Sequence, residues 1–223
     1  MTPSKTVLFL LLFMPITLLS QQTKKINKKE IGETFYVLKS DKKIKHGEYK
    51  KFNYAKKLIV NGYYNHGVAD SIWECFGNDG TLTLKYDYKK NELLFYKPSN
   101  KYSYRVINNS SDTTLSRPPI YLYGDTYIVS EIFKNIRYPM SAFMDRASGK
   151  VEVMFTVDKS GRTDNFRVDN PIGSGLDEEA IRVLGLIPDN WLPGISNEQP
   201  VDVEVSYSIT FKLRPTTYSH SYF

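Results

Sequence analysis

The chain has 223 residues, 41% of them hydrophobic and 14% aromatic, with a formal net charge of +6. That is enough apolar material for one or two small domains, and too much Tyr and Phe for a largely disordered chain. A single cysteine, Cys75, excludes a disulfide scaffold, so stability must come from burial, and Cys75 itself reads as a small core residue.

Residues 1–20 read as an export signal. Lys5 gives a basic start, Val7 to Leu19 an apolar run broken by Pro15, and Ser20-Gln21 a cleavage junction. The run is shorter than the roughly 20 residues that span a bilayer, so cleavage is expected and a retained anchor is the alternative. The mature protein is then exported, periplasmic or envelope-associated.

Residues 21–34 read as a Lys-rich linker. From Lys24 to Lys57 there are 12 lysines against Glu30, Glu33, Asp41 and Glu48, and no arginine precedes Arg105. A solvated face is the simpler reading, and attraction to an anionic membrane surface the functional one. An export signal and the lack of arginine argue against nucleic acid as a partner.

Residues 35–96 repeat. Tyr49, Phe52, Leu58 and Tyr64 recur as Trp73, Phe76, Leu82 and Tyr88, and Gly47 and Gly67 follow His46 and His66. Each unit predicts two strands and a turn: Tyr49 to Tyr54 with Leu58 to Tyr64, then Ile72 to Phe76 with Leu82 to Tyr88, the second unit carrying four extra residues, Val68 to Ser71. The units resemble MORN-like repeats through Gly47 to Phe52 and Asp79 to Leu82, which implies an all-β repeat module. His46 and His66 precede turn glycines with no third ligand at matching spacing, so no metal is expected.

Residues 97–124 read as a linker rich in Pro, Ser and Asn, within which Tyr102, Tyr104 and Val106 could add one short strand and Asn109-Ser110-Ser111 fits a glycosylation acceptor. A helix over 125–137 follows, with Ile128, Ile132, Phe133 and Ile136 on one side.

The alternation Val151, Val153, Phe155, Val157 and then Phe166, Val168 across Asp158-Lys159-Ser160-Gly161 predicts a hairpin. Leu176, Ala180, Val183, Leu184 and Ile187 predict an amphipathic helix with Asp177, Glu178 and Glu179 in its first turn and Pro188 as its stop. From Val201 to Leu213 every odd position is apolar and every even one polar, a single long strand with one buried face. Its length suggests that part of it overhangs as an exposed edge. Residues 215–223 read as a flexible tail.

The order Tyr138-Pro139, Gly149-Lys150-Val151 with its alternating strand, Gly161-Arg162, Leu176-Asp177 with Glu179-Ala180, Trp191 with Pro193-Gly194, and a closing strand ending Phe211-Lys212-Leu213 resembles the C-terminal domain of TonB-family proteins. The resemblance implies an α+β fold over 125–214, a helix-backed antiparallel sheet. It further implies binding of an envelope protein, or of an extended peptide from an outer-membrane transporter, by strand addition. Carried over by residue, it nominates Arg137, Tyr138 and Pro139, together with the strand bearing Val203, Val205, Tyr207, Ile209 and Phe211.

No nucleophile–base arrangement, phosphate-cradling loop or metal cluster stands in the sequence, so neither catalysis nor a cofactor is expected. The expected role is that of a non-catalytic envelope protein linked to outer-membrane transport. A membrane-anchored energy transducer and an envelope-surface-binding repeat protein are the alternatives, and a homodimer stays open.

Overall fold

A computed structural model describes residues 22–107 and 114–213. The expected export signal, the Asn109 acceptor and the tail lie outside the described residues.

The amino-terminal half is one seven-stranded antiparallel meander in chain order: β1 (Thr23–Lys28), β2 (Glu33–Leu38), β3 (Lys45–Phe52), β4 (Leu58–Asn65), β5 (Val68–Phe76), β6 (Leu82–Asp87) and β7 (Glu92–Tyr96). The region is therefore compatible with β repeats. Val68 to Ser71, extra in the repeat, lengthen β5 beside a register shift in its pairing with β4. The stretch read as a Lys-rich linker is instead largely strand, because β1 pairs with β2 from Thr23↔Leu38 to Lys28↔Glu33.

Trp73 organises this sheet. It is fully buried, stacks on Tyr49 with centroids 5.5 Å apart, and meets Tyr64 edge-on at 5.0 Å. Its indole N–H donates to the carbonyls of Tyr63 and Asp70, which satisfies the one polar atom it brings inside. Across β4, Gly62 leaves the room the indole needs: a Cβ there would stand 2.2 Å from Trp73 Cδ2.

The second half begins earlier than the sequence suggests. Within the stretch read as a linker, β8 (Tyr102–Val106) joins a four-stranded antiparallel sheet with β10 (Gly149–Val157), β11 (Thr163–Val168) and β15 (Val203–Phe211), in the order β11-β10-β15-β8. Later in that stretch β9 (Ile120–Tyr121) pairs with β12 (Trp191–Leu192), and Arg117 bridges to Ile195.

Helices α1 (Asp125–Asn135), α2 (Met140–Met144) and α3 (Leu176–Leu184) complete the fold. α1 stops before Ile136, whose backbone is extended. α3 ends at Leu184, short of the expected Ile187.

The β10–β11 turn follows its sequence closely. Asp158 accepts the N–H groups of Ser160 and Arg162, and Gly161 takes φ +80°. A Cβ on Gly161 would lie 2.1 Å from the Trp191 carbonyl oxygen, so this glycine serves close approach as well as turn geometry.

The closing strand differs from expectation in length. Gln199–Val201 is a separate strand, β14, paired with β13 (Gly194–Ser196), and β15 starts only after Asp202. Asp202 turns its carboxylate to the Lys159 N–H, and its carbonyl accepts the Ile107 N–H.

α1 joins the two halves. Ile128 faces Phe155, Leu184, Trp191 and Tyr207 of the carboxy-terminal core. Tyr127 lies under the Lys51 ammonium, 5.3 Å from its ring centroid. Just before α1, Tyr123 packs 5.3 Å from Trp73 and the Leu122 carbonyl accepts the Cys75 thiol. Burial pushes that thiol well above its ordinary range and leaves it a core group. The hydrophobic core is accordingly one connected cluster from Phe35 to Phe211.

Candidate functional site

Part of the closing strand is expected to overhang as an exposed edge. One side is paired in full with β10, from Gly149↔Phe211 to Val157↔Val203. On the other side β8 covers Val203 to Tyr207, ending at the pair Tyr207↔Tyr102. Among the described residues, the edge left open is therefore the last four residues, Ser208 to Phe211. Arg105 on β8 fastens the covered half by bonding Glu204 at 2.5 Å, and Arg167 on β11 meets the same carboxylate from across the sheet, also at 2.5 Å.

Backbone direction alternates along a strand. The Asp202 carbonyl points toward the β8 side, so by the two-residue repeat the N–H and C=O of Thr210 point the same way, past the end of β8.

The nominated side chains of β15 take a different part. Val203 and Val205 are fully buried, and Tyr207, Ile209 and Phe211 nearly so. They face the core, so what this nominated strand can present to a partner is its backbone edge and not these five side chains. The alternation that marks them as one face marks the buried face, and Thr210, exposed, stands on the other.

Arg137, Tyr138 and Pro139 lie beside the open end. The Tyr138 ring meets Phe211 edge-on with centroids 6.0 Å apart, and its hydroxyl donates to the Ala147 carbonyl. The Arg137 N–H donates to Glu179 Oε1 at 2.6 Å, and the Arg137 side chain is exposed. Pro139 opens α2, whose Met140, Phe143 and Met144 are 71%, 60% and 76% exposed.

Glu179 locks this corner, holding Arg182 through both carboxylate oxygens at 2.7 Å. The Arg182 guanidinium is the main reason its carboxyl sits below the ordinary 4.5; burial opposes the shift and the Arg137 N–H adds to it. A carboxyl held low in the folded state stabilises the fold above its unfolded value and loses that contribution as the pH falls through the folded one. Glu179→Gln is expected to flatten the loss of thermal stability between about pH 6 and pH 3, read as unfolding temperature against pH.

Beside the open edge runs a groove of about 290 Å³, walled by Val129, Ile132, Phe133 and Ile136 of the α1 region and floored by Tyr207 to Thr210. Phe133 was expected on the buried side of α1 with Ile128 and Ile132; it is 68% exposed and forms the outer lip of this groove. The sequence carries one signal for the covered half of the edge, the alternation of Tyr102, Tyr104 and Val106. It carries none for the exposure of Phe133.

His46 and His66 meet edge to face 4.6 Å apart, and His46 Nδ1 accepts the His66 N–H at the β4–β5 turn. Among the described residues no group of three His, Cys, Asp or Glu could hold a metal ion, and no helix is long and apolar enough to cross a membrane.

Residues 134–213 match the family model described as Gram-negative bacterial TonB protein C-terminal. Comparisons with curated proteins and with solved structures returned no match. The family is a non-enzymatic domain whose members interact with outer-membrane transporters. The match begins at the end of α1 and closes just past β15, enclosing the open edge and the Tyr138-Pro139 corner. The likeness to the TonB C-terminal family thus rests on residues 134–213, which carry both the β15 edge and the Tyr138-Pro139 corner.

Proposed function

We propose that the protein is an exported, non-catalytic envelope adaptor that binds an extended segment of a partner protein as an added strand along Ser208–Phe211. The single observation that carries this reading is the half-open edge: β8 ends at Tyr102, and the Thr210 backbone points into the space beyond it. A visiting strand bonds main chain to main chain there, while Val129, Phe133 and Ile136 receive its side chains on one face. Tyr138 holds the end of β15 in place through Phe211, Pro139 turns the chain into α2, and the exposed Arg137 side chain is placed to meet the partner. The kind of partner is the extended segment of an outer-membrane transporter.

The test is Thr210→Pro in the full chain. Proline removes an N–H that no strand among the described residues uses and blocks the edge sterically, so the fold is retained. Affinity for a transporter-derived extended peptide is expected to fall about tenfold or more, from one lost main-chain bond together with the steric block of the edge. Unchanged affinity with an intact circular dichroism spectrum sinks the reading. Mass spectrometry of the mature chain, expected to begin at Gln21, checks export with cleavage.

A further inference from the structure

We propose that the segment bound at the open edge continues over α1 into an acidic stretch, which seats in a lysine-rimmed cleft between the amino-terminal sheet and α1. The inference rests on the strand-addition reading and names the chemistry of its partner.

Three concavities meet over the outer side of α1 and share walls. The groove beside Ser208–Thr210 has Val129 and Phe133 in common with a hollow next to the β3–β4 turn. That hollow in turn shares Asn53, Tyr54 and Ser130 with a cleft of about 650 Å³. Such a volume is within the ordinary range for ligand sites.

The surface between the two ends is aromatic. Tyr54 and Phe133 are 66% and 68% exposed and meet edge to face, centroids 6.4 Å apart. Side chains of this size standing together in water mark a surface that gains from being covered.

The far end is cationic. Lys29, Lys56 and Lys134 line the cleft against one acid, Glu30. Lys134 is engaged by Glu131 at 3.3 Å, whereas Lys29 and Lys56 have no ion-pair partner among the described residues. An occupant leaving the edge therefore crosses two aromatic rings and then meets two uncompensated ammonium groups. Apolar followed by acidic is the order that fits, and a basic continuation would be repelled.

The distance is short. Half the girth of a helix about 10 Å across is about 16 Å, which roughly five extended residues cover. Added to the four facing Ser208–Phe211, the partner segment is about nine residues long, with its acids at the end away from the edge.

The experiment uses the full chain and fluorescence anisotropy with synthetic peptides. One has an alternating Val/Thr core joined to a Glu-Glu-Asp block, and its control carries Gln-Gln-Asn instead; each is made with the block at the amino end and again at the carboxyl end. In one orientation the acidic peptide is expected to bind about tenfold more tightly than its control, with the advantage lost at high salt. Lys29→Glu combined with Lys56→Glu should erase that advantage and leave the control peptide's affinity unchanged.

Equal binding of acidic and neutral peptides overturns the acidic continuation but leaves strand addition standing. Failure of both peptides to bind overturns both. Acidic-peptide binding that survives Thr210→Pro separates the cleft from the edge and overturns the continuity. Capture of phosphatidylglycerol vesicles through the same two lysines, with no preference for the acidic peptide, overturns a peptide as the occupant.

Discussion

Replacing Lys51 with methionine is expected to lower the unfolding free energy by about 3–5 kcal/mol, read as a shift of the urea midpoint. The Lys51 side chain is essentially sealed from water, yet its ammonium lies 2.6 Å from Glu131 Oε1 and 3.1 Å from Glu33 Oε1. Those three charges come from three elements, β3, α1 and β2. Methionine fills nearly the same volume, so the variant isolates the charge: two carboxylates are left facing each other with no cation between them. The complete neutral set, Lys51→Met with Glu33→Gln and Glu131→Gln, should regain most of the loss, because it removes the desolvated charges along with their partner. A single Lys51→Met that costs under about 1 kcal/mol contradicts the assignment of this triad as the pin between the meander and α1.

Trp73→Ala is expected to cost about 3–5 kcal/mol, the range for emptying a large aromatic site in a packed core. Tyr49, Tyr64, Tyr88 and Tyr123 all rest on the indole, with centroids 5.0 to 5.6 Å away. Tyr123 belongs to the strap that leads into α1, so the damage passes beyond the meander. The whole chain should unfold at lower urea in one transition, with the carboxy-terminal sheet losing stability too. Two separated transitions, the later one unchanged from the parent, would show that the two halves do not share a core.

Both variants report on the joint between the halves, and the open edge depends on that joint. The groove beside Ser208–Thr210 is walled by α1, and α1 is held from behind by Lys51 and by the Tyr123 strap. Lys51→Met should accordingly weaken peptide binding without touching the edge itself.

Much of the fold is legible in the residues because one-sided burial writes a period into the chain. The alternation in 151–157 and 203–211, the Asp158–Gly161 turn and the Leu176–Leu184 stripe each record a local relation between neighbours, and each is found in place. The match of residues 134–213 to the TonB C-terminal family model follows from the order of those same signals. What the tertiary structure decided is which backbone stays unpaired and which faces meet. β8 and β15 are about 100 residues apart in the chain, and a ladder forms from main-chain groups that every residue carries, so the alternation of Tyr102, Tyr104 and Val106 marks a strand but neither its partner nor where the pairing stops. Phe133 looks like one more apolar residue on a helical stripe until the packing angle of α1 sets it outside, and Lys51 looks like one more surface lysine until Glu33 and Glu131 close over it. Periodicity specifies a face; only long-range pairing and helix orientation specify what that face, or that edge, is turned toward.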